Sequence, residues 1–388
     1  MAEKMNFEFA TATRIVFGAG AAARIGENIK VYGRRALVVT GSCPERAEKL
    51  LANLSANGIS AATFSVAGEP EIATVKDGTA LAKKENCDFV LSLGGGSVID
   101  TGKAIAAMMA NEGELLDYLE IIGKGETLKK QPAPFIAVPT TAGTGSEVTR
   151  NAVLGSPEHK VKVSLRSPLM LARLAVVDPE LTYDLPPTLT ASTGLDALTQ
   201  LIEPYVCLRA NLMTDGLCLE GLHRAARSLR EAVLNGQNKA AREDMALASL
   251  SGGLALANAG LGAVHGFAGP VGGMFTAPHG AVCGALLPYV MAANLRALRE
   301  RDPKSPALGR YAHIARILTG NQHATADAGA EGVQNLVAEM PIPKLGAYGI
   351  REEHISAIVA KATNASSMKS NPIVLTSEEL AEALRPAL

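Results

Sequence analysis

Three side chains of types that bind metal ions lie in the second half of the chain. Asp196 comes first, and His265 and His279 follow within one glycine-rich stretch. A carboxylate and two imidazoles that converge on one point commonly bind a catalytic divalent metal ion. Gln200, where a third histidine would complete the set, shares one face of a predicted helix with Asp196. Its amide oxygen is a poor ligand for a borderline transition metal, although it is acceptable as a hard oxygen donor.

A glycine-rich turn in the first half has the features of a phosphate-binding site. The predicted strand 88–93 runs directly into Gly94-Gly-Gly-Ser97, after which the pattern becomes helical. Glycines let the backbone approach a ligand closely, and the amides at the start of a helix suit a pyrophosphate. Three consecutive glycines are an entropically costly way to begin a helix, so we expect this turn to bind a ligand.

A second loop of this kind follows the predicted strand 135–138. The sequence Pro139-Thr-Thr-Ala-Gly-Thr-Gly-Ser-Glu147 places Thr140, Thr141 and Thr144 at the carboxyl end of a parallel strand, where α/β sheets bind ligands. No Gly-Lys-Ser/Thr sequence follows, so this is not the phosphate loop of nucleoside triphosphatases. Two glycine-rich loops at strand ends favour a dinucleotide over a triphosphate.

An earlier glycine motif, Gly18-Ala-Gly-Ala-Ala-Ala23, imitates the dinucleotide fingerprint. The fingerprint also needs an acidic residue about 20 residues later, at the end of the next strand, to bind the ribose. That predicted strand ends in Thr40-Gly41 and supplies no such residue. We therefore predict a tight strand-to-helix turn at the first motif.

The composition and hydrophobic pattern of the chain change near residue 186. Before this point short apolar runs alternate with helical patterns, which implies a parallel sheet covered on both faces. After Pro186-Pro187 the chain is rich in alanine and leucine at helical spacing. The predicted fold class is α/β plus all-α, with a parallel-sheet domain at 1–186 and an all-helical domain at 187–388. The main predicted elements of the first domain are strands 36–40, 61–66, 88–93 and 135–138, and helices 45–57 and 75–84.

The composition limits the classes of protein to consider. Of the 388 residues, 47% are hydrophobic and 19% are charged, and the net charge is -1. These values favour a large core and argue against a disordered, nucleic-acid-binding or membrane-surface protein. The apolar stretches are interrupted before membrane-spanning length, and the N-terminus lacks a signal-peptide pattern. The five cysteines form no CxxC pair, so we expect free thiols and a cytoplasmic protein.

Taken together, the motifs resemble one family. Gly94 to Asp100, Pro139 to Glu147, Asp178-Pro-Glu-Leu181, Gly194-Leu-Asp196 and the stretch from His265 to Gly280 look like those of the iron-containing (group III) alcohol dehydrogenases. The resemblance covers essentially the whole chain in order and spacing. It implies a Rossmann-like dinucleotide domain and a C-terminal helical domain, in the architecture shared with dehydroquinate synthase. It also implies a homodimer or larger homo-oligomer.

The resemblance assigns cofactor-binding residues one by one. Lys162 matches a lysine near the nicotinamide ribose; without the resemblance it would be interpreted as a solvated charge in a hairpin. Gly41 occupies a position where many members have an aspartate that binds the 2'-hydroxyl of NAD. Glycine also removes the charge that would repel a 2'-phosphate, so both NAD and NADP stay open. The other residues implied at the cofactor are Gly95, Gly96, Ser97, Asp100, Thr140, Thr141, Thr144 and Thr149.

The metal site is where this chain departs from the family. Asp196, His265 and His279 match the family ligands, but Gln200 replaces a histidine, and Gly269 replaces a further family histidine near the nicotinamide. Three interpretations stay open. The set binds Fe2+ or Zn2+ with Gln200 or water completing it; or no metal binds and the two histidines polarise the substrate, as in the maleylacetate reductases; or both histidines are structural.

The predicted activity is hydride transfer between a nicotinamide cofactor and an alcohol, aldehyde or ketone. His265, His279 and Lys162 are the candidate catalytic residues. The competing activity is that of a lyase of the dehydroquinate synthase type, but the mostly Gly, Ala and Val surroundings of the site lack the basic cluster that its phosphorylated substrate needs. A non-catalytic binding protein is a further alternative. The family resemblance does not fix the small-molecule substrate.

Overall fold

The computed structural model describes residues 6–388, which fall into two compact units. The first unit is Thr11–Tyr183, and the second is Asp184–Leu388 together with the described residues before Thr11. The division therefore lies within a few residues of the limit predicted at 186.

The first unit contains a parallel sheet of six strands. The strands of this unit are β1 Ile15–Phe17, β2 Arg35–Thr40, β3 Ser60–Ser65, β4 Phe89–Gly94, β5 Phe135–Pro139, β6 Asn151–Ser156, β7 Val161–Arg166 and β8 Leu174–Val177. Neighbouring strands of the sheet follow the order β1-β8-β5-β4-β2-β3, and every pairing between them is parallel. The other two strands, β6 and β7, form a separate antiparallel hairpin.

Helices connect the strands of this unit. The predicted helix 45–57 begins as a 3-10 turn at Pro44–Ala47 and continues as an α-helix, whereas the helix predicted at 75–84 begins three residues earlier, at Ile72. The α-helices are α1 Ile25–Ile29, α2 Glu48–Ala56, α3 Ile72–Lys84, α4 Gly96–Ala110 and α5 Leu115–Tyr118. The 3-10 helices are Ala21–Arg24, Lys30–Tyr32, Pro44–Ala47, Ser146–Val148, Pro168–Met170 and Pro179–Thr182.

The apolar runs form the strands because the sheet is buried on both faces. Every residue of β4, β5 and β8 is buried, and one core cluster contains Val38, Leu91, Ile136 and Val176 from four neighbouring strands. Strands covered on both sides need continuous hydrophobic sequences rather than alternating ones. The predicted parallel sheet is confirmed, and each of the four main predicted strands is shifted by at most one residue.

The second unit is helical, and no strand occurs in its described residues. Its α-helices are α6 Pro187–Val206, α7 Leu212–Leu234, α8 Lys239–Asn258, α9 Ala263–Met274, α10 His279–Arg301, α11 Pro306–Thr319, α12 Ala326–Glu339, α13 Ile355–Thr363 and α14 Ser377–Leu384. Short 3-10 helices occur at Leu345–Tyr348, Glu352–His354, Ser366–Ser370 and Arg385–Ala387. The predicted all-helical character of this half is confirmed.

Within the described residues, α10 alone has the length and hydropathy of a membrane-spanning helix, and α8 with α9 would pass the same test only as a pair bent by 96°. Of the apolar window in α10, 83% is buried inside the protein. A buried core helix meets the same criteria of length and composition, so α10 is explained by packing.

Candidate active site

Four possible metal ligands from three helices meet in the second unit. Asp196 lies on α6, His265 on α9, and His279 begins α10, with Cys283 one turn later. One potential ligand atom from each residue lies within 4.8 Å of those of the other three. Oδ1 of Asp196 is 3.4 Å from Nε2 of His265 and 3.6 Å from Nε2 of His279. The predicted convergence of the carboxylate and two imidazoles is therefore present in the structure.

Two buried oxygens beside this group lack hydrogen-bond partners. Only 1% of Asp196 and 3% of Gln200 is exposed, and Asp196 Oδ1 and Gln200 Oε1 have no partner in the part of the chain that the structure describes. Buried polar atoms are nearly always paired, and leaving one unpaired is costly. An unpaired carboxylate oxygen that faces two imidazole nitrogens fits a site for a cation.

Glu203, seven residues after Asp196 on α6, orients one of the imidazoles. Its Oε2 is 2.6 Å from Nδ1 of His265, and its Oε1 accepts the backbone N–H of Val264 over 2.7 Å. A carboxylate can only accept here, so Nδ1 carries a proton, and in the neutral form of the ring Nε2 has its lone pair toward Asp196. A carboxylate behind the second nitrogen of a ligand histidine is a recurring feature of metal sites.

The local electrostatics place negative potential at the centre of the group. Burial opposes ionisation of Asp196, but His279 and His265 outweigh it and hold the pKa of this carboxyl below its usual value. Burial also opposes protonation of His265, yet Cys283, Glu203 and Asp196 raise the pKa of its imidazole well above the usual value. The pKa of His279 is raised by the same balance of burial against Cys283 and Asp196. A divalent cation can replace the protons that these histidines would otherwise hold.

Glycines allow the helices that carry the site to approach closely. A Cβ at Gly280, next to His279, would lie 2.2 Å from the backbone oxygen of Ser192 on α6. A Cβ at Gly252 would lie 3.1 Å from Cβ of Gln200. Gly280 therefore lets the start of α10, and with it His279, lie against the helix that carries the carboxylate, and Gly252 lets α8 pack against the same helix.

Sequence reasoning missed two members of this group. Cys283 lies four residues after His279, and Glu203 lies seven residues after Asp196, so each shares a helix face with a residue already singled out. That helical spacing is the signal that could have found them. At Gly269, where the resemblance implies a missing histidine, an added Cβ would meet no atom within 4 Å.

The glycine-rich turn after β4 lies at the carboxyl edge of the sheet. In the register, Leu93 of β4 is opposite Thr40 of β2 and Val138 of β5, and Thr140 N–H donates to Gly94 O over 3.0 Å. The residues that follow these three neighbouring strands, Gly41 among them, therefore lie at one edge. Ligands of open α/β sheets bind at this edge.

The start of α4 is open to a ligand. Gly95 precedes its first residue, Gly96, and the helix has no side-chain cap, so Ser97 does not cap it. The first backbone N–H groups of a helix lack intrahelical partners. Added Cβ atoms at Gly95 and Gly96 would lie 3.3 Å and 2.7 Å from Cγ2 of Thr141 and Thr144, respectively, so the threonine loop packs directly on this turn.

Asp100 and Thr149 interact with other protein groups. The Asp100 carboxylate accepts hydrogen bonds from the Ser146 hydroxyl and from Val153 N–H, the latter over 2.9 Å. The fully buried Lys103 ammonium donates to Thr149 Oγ1 over 2.9 Å and to the backbone oxygen of Ser146 over 2.8 Å. These contacts tie α4 to the threonine loop and to β6.

Lys162 lies on β7 of the antiparallel hairpin, as its interpretation as a hairpin residue requires. Its side chain is only 10% exposed, and its Nζ is 3.1 Å from Oε1 of Glu69. It is therefore not a solvated charge. Glu69 is therefore an acidic partner of this lysine in the structure. Its place at the nicotinamide ribose stays a prediction.

The first glycine motif, Gly18 to Ala23, forms a turn whose backbone N–H groups bind a carboxylate of the same chain. Gly20 has φ 74°, in the left-handed region that favours glycine. The Asp178 carboxylate accepts the backbone N–H groups of Gly20 over 3.1 Å, of Ala22 over 3.0 Å and of Glu180 over 3.0 Å. This explains the Asp178-Pro-Glu motif and agrees with the prediction that the turn is not a cofactor site.

Known proteins match the chain over nearly its whole length. Residues 12–179 match the family model described as iron-containing alcohol dehydrogenase, and residues 190–388 match that of the Fe-containing alcohol dehydrogenase family, C-terminal. The 1,3-propanediol dehydrogenase of Citrobacter freundii is 36% identical over 96% of this chain and 96% of its own. The NAD-dependent methanol dehydrogenase of Bacillus methanolicus is 35% identical over 96% and 97%.

The fold leads to the same group of proteins. A crystal structure of 1,3-propanediol oxidoreductase has a TM-score of 0.92 to this chain, with 35% identical residues, and the match covers 99% of this chain and 100% of that one. The chain therefore belongs to the iron-containing alcohol dehydrogenase family and is a nicotinamide-dependent oxidoreductase.

Proposed function

We propose that this enzyme interconverts a small alcohol and its carbonyl compound at the group formed by Asp196, His265 and His279, with NAD or NADP as hydride acceptor and donor. The observation that carries the proposal is the buried, unpartnered Oδ1 of Asp196, which faces both imidazole nitrogens at 3.4 and 3.6 Å. A lone structural histidine would not need a second histidine and an unsatisfied carboxylate oxygen beside it.

The donor set fits a divalent transition metal, Fe2+ or Zn2+, held by Asp196, His265 and His279. When bound, such a metal lowers the pKa of an alcohol and polarises a carbonyl group. Glu203 fixes the tautomer of His265 that leaves Nε2 free to bind. Gln200 is the fourth residue that the sequence predicts at this site, and its buried, unpartnered oxygen is available either to the metal or to a hydrogen bond from a bound group.

The cofactor site is proposed at the carboxyl edge of the sheet. Gly95, Gly96 and Ser97 supply the open start of α4 for the pyrophosphate. Asp100 and Thr149, whose polar groups are bound within the protein, act by holding the threonine loop in place rather than by touching the cofactor. The threonines proposed to contact the cofactor are Thr140, Thr141 and Thr144.

Gly41 is proposed to lie beside the adenosine ribose. The nearest atom to a Cβ at this position is Cγ2 of Val98, at 3.9 Å, so the space next to it is open. An open, uncharged position accepts a 2'-phosphate, which supports use of NADP as well as NAD. Lys162 is proposed to contact the nicotinamide ribose, with Glu69 holding it in a fixed orientation.

The substrate proposed is a short alcohol or diol. The curated relatives include proteins named for 1,3-propanediol and for methanol, and the space at Gly269 is unfilled by protein atoms within 4 Å of an added Cβ. We further propose a cytoplasmic homo-oligomer, on the grounds of five free cysteines and the family resemblance.

The test is reduction of NAD and of NADP by the protein with 1,3-propanediol, methanol and longer primary alcohols, after loading with Fe2+ or Zn2+ and again after chelation. We expect turnover that chelation removes, and loss of at least about 100-fold in kcat/KM in His265→Ala. His223→Ala, a substitution far from the site in sequence, is the matched control. Full turnover after complete metal removal would reject the metal-assisted mechanism and leave a histidine-only reductase.

A further inference from the structure

We propose that the thiolate of Cys283 is the fourth metal ligand of this site, in the place where the sequence alone points to Gln200. The inference rests on the metal site of the proposed function and deepens it. The site would then hold one carboxylate, two imidazoles and one thiolate.

The sulfur of Cys283 lies beside both imidazole rings of the site. Sγ of Cys283 is 3.7 Å from Nε2 of His279 and 3.9 Å from Nε2 of His265. Cys283 is fully buried, and its sulfur lies within 4.8 Å of a carboxylate oxygen of Asp196. The sulfur therefore lies beside Asp196, His265 and His279, the three residues that match the family ligands.

The distances between these donor atoms are close to those of a tetrahedral metal site. Metal-to-ligand distances of about 2.0–2.1 Å for nitrogen, about 2.1 Å for oxygen and about 2.3 Å for sulfur imply N···O edges of about 3.4 Å and S···N edges of about 3.6 Å. The observed N···O distances are 3.4 and 3.6 Å, and the S···N distances are 3.7 and 3.9 Å. Four of the six distances between the donor atoms are therefore close to those that such an ion requires, and the other two are below 4.8 Å.

The helical spacing on α10 places Cys283 next to His279. His279 and Cys283 lie four residues apart on α10, so both project from one face toward α6. Asp196 and Gln200 have the same spacing on α6, but an amide is the weaker donor of the two available. A thiolate is a strong ligand for soft and borderline ions, and a set of two histidines, one cysteine and one carboxylate favours Zn2+ over Fe2+.

The experiment is the absorption spectrum of the full-length protein loaded with Co2+, which takes tetrahedral sites and shows a near-ultraviolet charge-transfer band only when a thiolate is bound. We expect this band in the wild type and its loss in Cys283→Ser. Cys218→Ser, which changes another fully buried cysteine, and Gln200→Ala should both keep it. We also expect the Zn2+ affinity of Cys283→Ser to fall by about 100-fold or more. Loss of a group that only hydrogen-bonds to a ligand typically lowers metal affinity by about 10–100-fold, and loss of a ligand itself should cost at least as much.

Each other result is decisive. Co2+ that binds to the wild type without the band would overturn the thiolate ligand while leaving the metal site of the proposed function intact. No Co2+ binding by the wild type would instead reject the metal site itself, and this inference with it. The wild-type spectrum shows whether a thiolate binds, and loss of the band in Cys283→Ser but not in Cys218→Ser assigns that thiolate to Cys283. A band that persists in Cys283→Ser would assign it to another cysteine and overturn the proposal.

Discussion

Glu203 Oε2 accepts the hydrogen bond of His265 Nδ1 over 2.6 Å, while the opposite nitrogen of the same ring lies 3.4 Å from Asp196 Oδ1. One glutamate thus fixes the orientation of a histidine at the proposed metal site and the tautomer of its neutral ring. Its other oxygen accepts the N–H of Val264 at the start of α9, so the glutamate also fixes the helix that carries the ring.

Replacing Glu203 by glutamine should weaken metal binding. If the amide oxygen keeps the bond to Val264 N–H, the amide NH2 group faces His265 Nδ1 and forces the proton onto Nε2, which then cannot bind a metal. We expect Zn2+ affinity to fall by about 10–100-fold, measured by competition with a chromophoric chelator. Glu220→Gln, an exposed carboxylate paired with Arg224, is the control. Equal affinities in the two variants would refute the orienting role.

Gly41→Asp should shift cofactor preference toward NAD. The side chain fits, since its Cβ would have only Val98 Cγ2 at 3.9 Å, and its carboxylate would bind a 2'-hydroxyl and repel a 2'-phosphate. We expect the ratio of kcat/KM for NADP to that for NAD to fall by about tenfold or more, which corresponds to at least about 1.4 kcal/mol. Gly41→Ala adds the Cβ without the charge and should leave the ratio unchanged. An unchanged ratio in the aspartate variant would place the adenosine ribose elsewhere.

The sequence predicts those parts of the fold in which a local pattern of residue types is compatible with only one structure. Continuous apolar runs predict buried parallel strands, and the strand at 88–93 followed by three glycines gives the position of the open start of α4. The hairpin that carries Lys162 was anticipated only as the context of that residue. The short strand β8, with the four residues Leu174–Val177, was not predicted from its own pattern.

The rest of the site depends on contacts that no local pattern encodes. Gly280 matters because its missing side chain lets α10 approach Ser192, a residue 88 positions earlier in the sequence. Asp100 belongs to a motif that resembles a cofactor loop, yet its carboxylate is satisfied by Ser146 and Val153 on a later segment. The residue type of Cys283 does not by itself distinguish a metal ligand from a core residue, so the sequence gives no reason to separate it from the other thiols.

Glu147→Gln should remove a pH dependence of stability. Burial raises the pKa of the Glu147 carboxyl to about 7, against the opposing effects of its own backbone N–H and of Lys103. The folded protein therefore keeps a proton that the unfolded chain releases near pH 4. The contribution of Glu147 to the free energy of unfolding is full below that pH and is lost as the pH rises through about 7, by about 3 kcal/mol in total.

Glutamine mimics the protonated form, so the advantage of the variant should grow with pH. We expect Tm of Glu147→Gln to exceed that of the wild type increasingly between pH 5 and pH 8, as measured by differential scanning calorimetry. Glu126→Gln, a change on the surface of the same unit, controls for the loss of one charge. A difference in Tm that stays constant across this range would show that Glu147 is ionised in the fold already at pH 5.

Asp178→Ala should destabilise the first unit without weakening cofactor binding. The substitution leaves the N–H groups of Gly20, Ala22 and Glu180 without their acceptor, at a cost of about 3 kcal/mol in the free energy of unfolding.

Gly95→Ala, by contrast, should weaken cofactor binding without destabilising this unit strongly, because it adds a methyl group beside Thr141 at the proposed pyrophosphate site. Titration calorimetry with NAD and NADP should show an unchanged Kd for the first variant and a Kd raised about tenfold for the second, while only the first lowers Tm strongly. Since the Gly18-Ala-Gly20 turn has its own carboxylate in the place where a phosphate would bind, weaker cofactor binding in Asp178→Ala would mean that this turn, too, supports the cofactor site.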